Sequence, residues 1–208
     1  MLDFRPMDTL VWVGLGGNRG DVRATLAGAR AALAAWSDGP LEASPIYASA
    51  PWGDGDQPIF FNQVVGLAPT VAPSALLAAL QAMEARFGRD RATERRWGPR
   101  TLDLDLLCWP GVRSADPSLI LPHPRMAQRR FVLAPLFEVA PAPVELPAAS
   151  PEEAAAMGYL LGNCVHCHHG REKGDNAAFS LMPAALRANT VNQPTASSAS
   201  GDGIRVVP

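Results

Sequence analysis

Between Thr101 and Leu107, leucine and aspartate alternate as Leu102-Asp103-Leu104-Asp105-Leu106. An extended strand is the backbone form that sorts such a run into one apolar and one charged face, because successive side chains point to opposite sides. The leucines therefore face a core, and Asp103 and Asp105 share the other side. A strand of this pattern needs a sheet around it.

The remaining chain supplies one. Thr9–Leu15 is a short apolar run that reads as a buried strand and passes through Gly16-Gly-Asn-Arg-Gly-Asp21 into a helix. Val22, Leu26, Ala29, Leu33 and Trp36 form its apolar stripe, and Asp38-Gly-Pro40 stops it. Two strands are expected near 41–49 and 60–68, separated by the turn-rich stretch Pro51–Pro58. Pro73 suits the first turn of a second helix with a stripe of Leu76, Leu80, Met83 and Phe87, and Gly88 stands where a C-terminal glycine belongs. Strand, helix, strand, strand, helix, strand is the split βαβ order. The expected fold is α+β and ferredoxin-like: a four-stranded antiparallel sheet with helices on one face.

Residues 1–145 form the expected main domain, with proline-broken segments and one or two short helices over 118–140. Residues 146–157 read as a linker, with a capping box at Ser150-Pro-Glu-Glu153 opening a short helix. Residues 158–208 read as a tail unrelated to that domain and dispensable for its chemistry, loop-like from about Pro183.

Charged residues make up 18% of 208 residues and the net charge is −2, without the basic excess of a general nucleic-acid binder. Three cysteines are too few for a disulfide scaffold. The N-terminus carries charges where a secretory signal needs an apolar run, and there is no apolar stretch of about 18 residues. A cytoplasmic protein without membrane or nucleic-acid partners is the expectation.

Two carboxylates on one strand face repel each other unless a positive charge sits between them, and hard oxygen ligands so placed suit Mg²⁺. On spacing alone, a half-exposed strand with a wet side explains the pair equally well. The residues just upstream decide the matter. From 86 to 100, Arg86, Arg89, Arg91, Arg95, Arg96 and Arg100 stand against Asp90 and Glu94, a local charge of +4. Guanidinium forks match phosphate oxygens, so a cationic loop feeding a carboxylate pair is what a metal–polyphosphate complex requires. The glycine run Gly14-Leu-Gly-Gly-Asn-Arg-Gly20 is neither G-x-G-x-x-G nor a Walker A loop, and taken alone reads as a tight strand-to-helix turn.

Trp97-Gly-Pro-Arg-Thr-Leu-Asp-Leu-Asp105 resembles the signature of the 6-hydroxymethyl-7,8-dihydropterin pyrophosphokinases of folate biosynthesis. Gly14–Asn18, Asp56-Gln-Pro58 with Asn62, Leu121-Pro-His123, Arg129-Arg-Phe131 and Pro135-Leu-Phe-Glu138 agree in order. The resemblance covers roughly residues 9–145 and implies the same ferredoxin-like fold. It implies transfer of pyrophosphate from ATP to the pterin's hydroxymethyl oxygen with release of AMP. Asp103 and Asp105 would ligate two Mg²⁺ ions, and Arg89 and Arg100 would contact the phosphates as catalytic residues. Gln81, Glu84, Arg91, Trp97, Leu106, His123 and Arg129 fall at nucleotide positions, and Ser49, Trp52, Phe60, Asn62 and Phe131 at pterin positions. A monomer is the expected state. Without the family match, Phe60 and Phe131 would be read as core.

The tail carries Cys164-Val-His-Cys167-His168, the C-x-x-C-H of c-type haem attachment, with Met182 a conceivable opposite ligand. Zinc binding through Cys164, His166, Cys167 or His169 is another possibility, without a second ligand pair at the usual spacing. A tail with no function of its own is the third reading and the one the sequence favours.

Overall fold

The computed structural model describes residues 10–51, 56–91, 94–95, 98–140 and 204–207. The elements are β1 (Val11–Gly17), α1 (Val22–Leu33), β2 (Glu42–Ala43), β3 (Ile46–Ser49), β4 (Phe60–Leu67) and α2 (Pro73–Arg86). They continue with β5 (Asp103–Cys108), β6 (Ser114–Asp116), β7 (Leu119–Leu121), α3 (Arg130–Val139) and β8 (Ile204–Val207). Short 3-10 turns follow α1 at Ala34–Trp36 and precede α3 at Met126–Gln128.

The main sheet runs β5-β1-β4-β3-β8, with β2 also pairing to β4, and β6 and β7 form a separate hairpin. The pairings of β1 with β4 and β5, and of β3 with β4, are antiparallel. Strands 4-1-3-2 of the βαββαβ unit thus lie in ferredoxin-like order, as expected. Ser44-Pro45 splits the expected 41–49 strand in two: proline offers no N–H to a ladder, and Ser44 turns its hydroxyl to accept from Val64 N at 3.0 Å.

Local sequence explains the helices. The Asp21 carboxylate accepts from Ala24 N at 3.1 Å and caps α1. Pro73 opens α2, and Gly88 follows it at φ +85°. Val22, Leu26, Ala29 and Leu33 of α1 and Leu76, Leu80 and Met83 of α2 are buried against Val11, Val13, Leu15, Leu102, Leu104 and Leu106. Truncating one of these leucines to alanine costs about 2–5 kcal/mol.

Two expectations are corrected. Helices cover both faces of the sheet, because the second face is also apolar at Trp12, Val64 and Leu107. There α3 buries Val132 and Leu136 together with Met126. The sheet is also longer than four strands. The final segment is not all loop: Ile204–Val207 pairs in parallel with Ile46–Ser49. Its β-branched residues favour a strand, and the outer edge of β3 has ladder groups to pair. Among the described residues, no helix is long and apolar enough to cross a membrane.

Candidate active site

The strand register builds the site floor. Asp103 of β5 pairs with Gly16 of β1, and Gly16 with Asn62 of β4; one step along, Asp105 pairs with Gly14, and Gly14 with Val64. The glycines therefore lie inside the central strand, and the strand-to-helix turn begins after them. They leave the floor bare between the carboxylates and Asn62. A Cβ on Gly16 would stand 3.1 Å from Asn62 Oδ1, and one on Gly14 would stand 3.4 Å from Leu107. At about 4.8 Å per strand, Asp103 and Asn62 are rooted roughly 10 Å apart with open space above Gly16.

Arginines from three segments converge on the two aspartates. Arg89 donates to both Asp103 and Glu84. Arg100 Nη1 reaches Asp103 Oδ2 at 2.9 Å, and Arg129 Nη1 reaches Asp105 Oδ2 at 3.0 Å. Burial works against ionising Asp103, but Arg100 and Arg89 outweigh it and hold its carboxyl below the usual range. Burial, reinforced by the negative charge of Asp103, pushes the Asp105 carboxyl up against the pull of His123 and Arg129. The pair is thus one ionised acid beside one that resists ionisation, which a divalent cation would relieve.

The donor set fits Mg²⁺: two hard carboxylates on one face. Among the described residues, no group of three or more His, Cys, Asp or Glu could hold a metal, so the remaining oxygens would come from a ligand.

Two cavities share the wall that carries these aspartates. One, of about 70 Å³, is lined by Ser49, Phe60, Asn62 and Phe131. The other, of about 430 Å³, is lined by Arg89, Arg91, Arg95, Arg125 and His123. Arg100, Asp103, Asp105 and Arg129 line both. The larger cleft presents six arginines against Glu94, Asp103 and Asp105, a net +3 suited to a polyphosphate. In the smaller pocket the Arg100 guanidinium lies 5.6 Å from the Phe60 ring centre, and that of Arg129 lies 5.7 Å from the Phe131 ring. Both rings are half-buried and wall the pocket, so they are more than core filling. Asn62 Nδ2 donates to Ser49 Oγ at 2.9 Å, which fixes an amide edge for a polar heterocycle.

Burial pushes the His123 imidazole down, Arg129 and Arg125 add to this, and Asp105 opposes it. Nδ1 accepts from Arg125 N at 3.2 Å, which leaves the proton on Nε2, free to donate.

The structure brings together Ser49, Phe60, Asn62, Arg89, Arg91, Arg100, Asp103, Asp105, His123, Arg129 and Phe131 around the two cavities. Three expected nucleotide residues stand apart. Gln81 is exposed on α2 and lines neither cavity. The Leu106 side chain is in the core beneath the sheet, which leaves its backbone alone for contact. Glu84 is 1% exposed, with both oxygens in use: Oε1 accepts from Leu104 N at 2.8 Å and from Arg89, and Oε2 accepts from Arg91 Nη2 at 2.6 Å. It is the buried post that holds two cleft arginines. Its carboxyl is pushed up by burial, against the opposing pull of Arg91, the Leu104 amide and Arg89. Trp52, Trp97, Cys164, His166, Cys167, His168, His169 and Met182 lie outside the described residues.

Asn18 closes the Gly14–Asn18 segment of the resemblance, which gave it no role of its own. It is 5% exposed. Its amide donates to Gln57 Oε1 and Pro58 O, each at 3.0 Å, and its Oδ1 accepts from Arg100 N at 2.9 Å. Its backbone N also donates to Arg100 O at 3.0 Å. One side chain thus ties the loop before Phe60 to the segment at Arg100 that leads into β5. An asparagine directly after a strand's glycine pair was the available signal, since its amide readily satisfies nearby backbone.

Paired acids on a ferredoxin-like sheet, set between a cationic cleft and an aromatic pocket, define a phosphate-handling transferase. The family model described as 7,8-dihydro-6-hydroxymethylpterin-pyrophosphokinase matches residues 12–141. Relatives named 2-amino-4-hydroxy-6-hydroxymethyldihydropteridine pyrophosphokinase include that of Methylorubrum extorquens, 45% identical over 134 residues, covering 64% of this chain and 84% of the relative. That of Pseudomonas aeruginosa is 46% identical over 136 residues, covering 63% and 80%. That of Bacillus subtilis is 40% identical over 134 residues, covering 64% and 79%. The chain belongs to the 7,8-dihydro-6-hydroxymethylpterin-pyrophosphokinase family.

Proposed function

We propose that the cationic cleft takes ATP, that the aromatic pocket takes 6-hydroxymethyl-7,8-dihydropterin, and that Asp103 and Asp105 hold two Mg²⁺ ions where the two meet. The reaction is pyrophosphoryl transfer in folate biosynthesis. A bond forms between the pterin's hydroxymethyl oxygen and the β-phosphorus of ATP, while the bond from that phosphorus to the oxygen bridging to the α-phosphate breaks. AMP leaves with the bridging oxygen, and the hydroxyl proton is released.

Such transfer depends on alignment and charge neutralisation more than on covalent help. Phe60 and Phe131 supply flat faces for the pterin, and Asn62, braced by Ser49, supplies the amide for its polar edge. Arg89, Arg91 and Arg100 draw the phosphates toward the aspartates. Bound Mg²⁺ would neutralise polyphosphate charge and orient the β-phosphorus. His123, neutral and with its Nε2 proton free, donates to the nucleotide. A monomer acting in the cytoplasm, where ATP is made available to biosynthesis, is part of the same proposal.

The observation that carries this reading is the placement of Asp103 and Asp105 on the wall common to both cavities. The test is product analysis with Mg-ATP and the pterin: AMP should appear in step with pyrophosphorylated pterin. Formation of ADP, or no pterin-dependent turnover, would contradict it.

A further inference from the structure

The family match ends at residue 141, yet a later piece of the chain is built into the sheet beside the aromatic pocket. β3 is only four residues long and meets β4 at three positions: Tyr47 with Asn62, Ala48 with Phe61, and Ser49 with Phe60. Two of those partners, Asn62 and Phe60, wall the pocket, as does Ser49 itself. Asn62 takes its orientation from β3, since its amide donates to Ser49 Oγ at 2.9 Å and to Tyr47 O at 3.5 Å.

A strand this short, with its outer edge bare, is weakly held. That edge is filled by β8, in parallel register from Ile46 with Ile204 to Ser49 with Val207. β8 also contacts α3, the helix that carries Phe131, and α3 is tied to β3 by the Tyr47–Glu138 hydrogen bond. The last strand therefore braces both elements of the pocket's outer wall. The cationic cleft lies at the opposite edge of the sheet, beyond β5.

We propose that Ile204–Val207 is a strand clip on the pterin pocket. Seated on the outer edge of β3, it holds Ser49, and through it Asn62, in the position that binds the heterocycle; its release loosens that pocket and leaves the nucleotide cleft unchanged. This rests on the assignment of the pocket to the pterin. It also makes the end of the tail part of the working enzyme. The recognition is β-augmentation, with main-chain groups of one segment completing the edge of a sheet.

The test compares the full chain with one ending at Gly203 and with a full-length variant carrying Arg205→Pro and Val206→Pro, which removes the ladder N–H of whichever of the two faces β3 without shortening the chain. Pterin binding is followed by its fluorescence, ATP binding by calorimetry, and β3 by amide hydrogen exchange. The expected result in both variants is faster exchange at Ile46–Ser49 and pterin affinity weakened roughly three- to ten-fold, with ATP affinity within about two-fold. A peptide of residues 201–208 added to the truncated chain should restore part of the affinity. Unchanged exchange and pterin affinity would overturn the proposal, as would equal losses for pterin and ATP. None of these readouts needs turnover, so an absence of AMP formation would count against the reaction and not against the clip.

Discussion

Replacing Asn18 with alanine removes three side-chain hydrogen bonds from a position 5% exposed. At about 1 kcal/mol for each bond, the loss is about 3 kcal/mol. The Arg100 N–H, left without its acceptor, pushes the figure toward the upper end of that scale. For a domain of this size, that corresponds to a thermal midpoint lower by about 10 °C. The kinetic consequence is separate, because Asn18 grips Arg100 through both its side chain and its backbone, and Arg100 in turn holds Asp103 and overlies Phe60. A small displacement there misaligns phosphate and pterin together, and kcat/KM should fall ten-fold or more. Calorimetry and AMP release measured on the same preparations separate the two effects. Asn18→Asp keeps the acceptor for Arg100 N–H and loses the donors to Gln57 and Pro58, so it should recover activity before stability. A midpoint lowered by less than about 3 °C with unchanged kcat/KM would refute the clamp.

Two neighbours should respond to pH with opposite signs. Asp103 has its folded pKa depressed, so its ionised form stabilises the fold above the ordinary aspartate range, and that contribution is lost as pH falls through the folded value. Asp103→Asn should therefore lower the neutral-pH midpoint, by less as the pH is taken down. Asp105 has its folded pKa raised, so the folded metal-free protein holds its proton more tightly and loses stability as pH rises through that window. Asp105→Asn should leave the metal-free midpoint at pH 7 equal or higher while abolishing turnover. Paired pH-dependent melts of the two variants check both signs. Glu84→Ala orphans the buried Leu104 N–H, takes away the Glu84 acceptor from Arg91 and leaves Arg89 to Asp103 and Glu94, and should cost about 2–3 kcal/mol in chemical denaturation and raise KM for ATP.

The element order and both helix stripes were legible because Leu26, Leu33, Leu76 and Leu80 recur at helical spacing and Asp103 and Asp105 alternate with leucine at strand spacing. The second layer was not. Pro122, Pro124 and Pro135 break any period over 118–140, and the helix that does form there carries Pro135 inside it. β8 was also hidden, since four residues have no period of their own and find their place through the edge they meet. Most site residues entered through the family resemblance. Asn18 and Glu84 lay in the matched positions, but spacing could not show their roles: one joins segments about 40 and 82 residues away, and the other is buried under the arginines it serves. Gln81 and Leu106 matched by position alone.

The most direct measurement is anomalous scattering from crystals grown with Mn²⁺ and a non-hydrolysable ATP analogue. Two peaks roughly 3.5–4 Å apart should lie against Asp103 and Asp105, with the analogue's phosphates reaching them from the arginine cleft. Analogue bound in the cleft with no metal at either carboxylate would contradict the assignment.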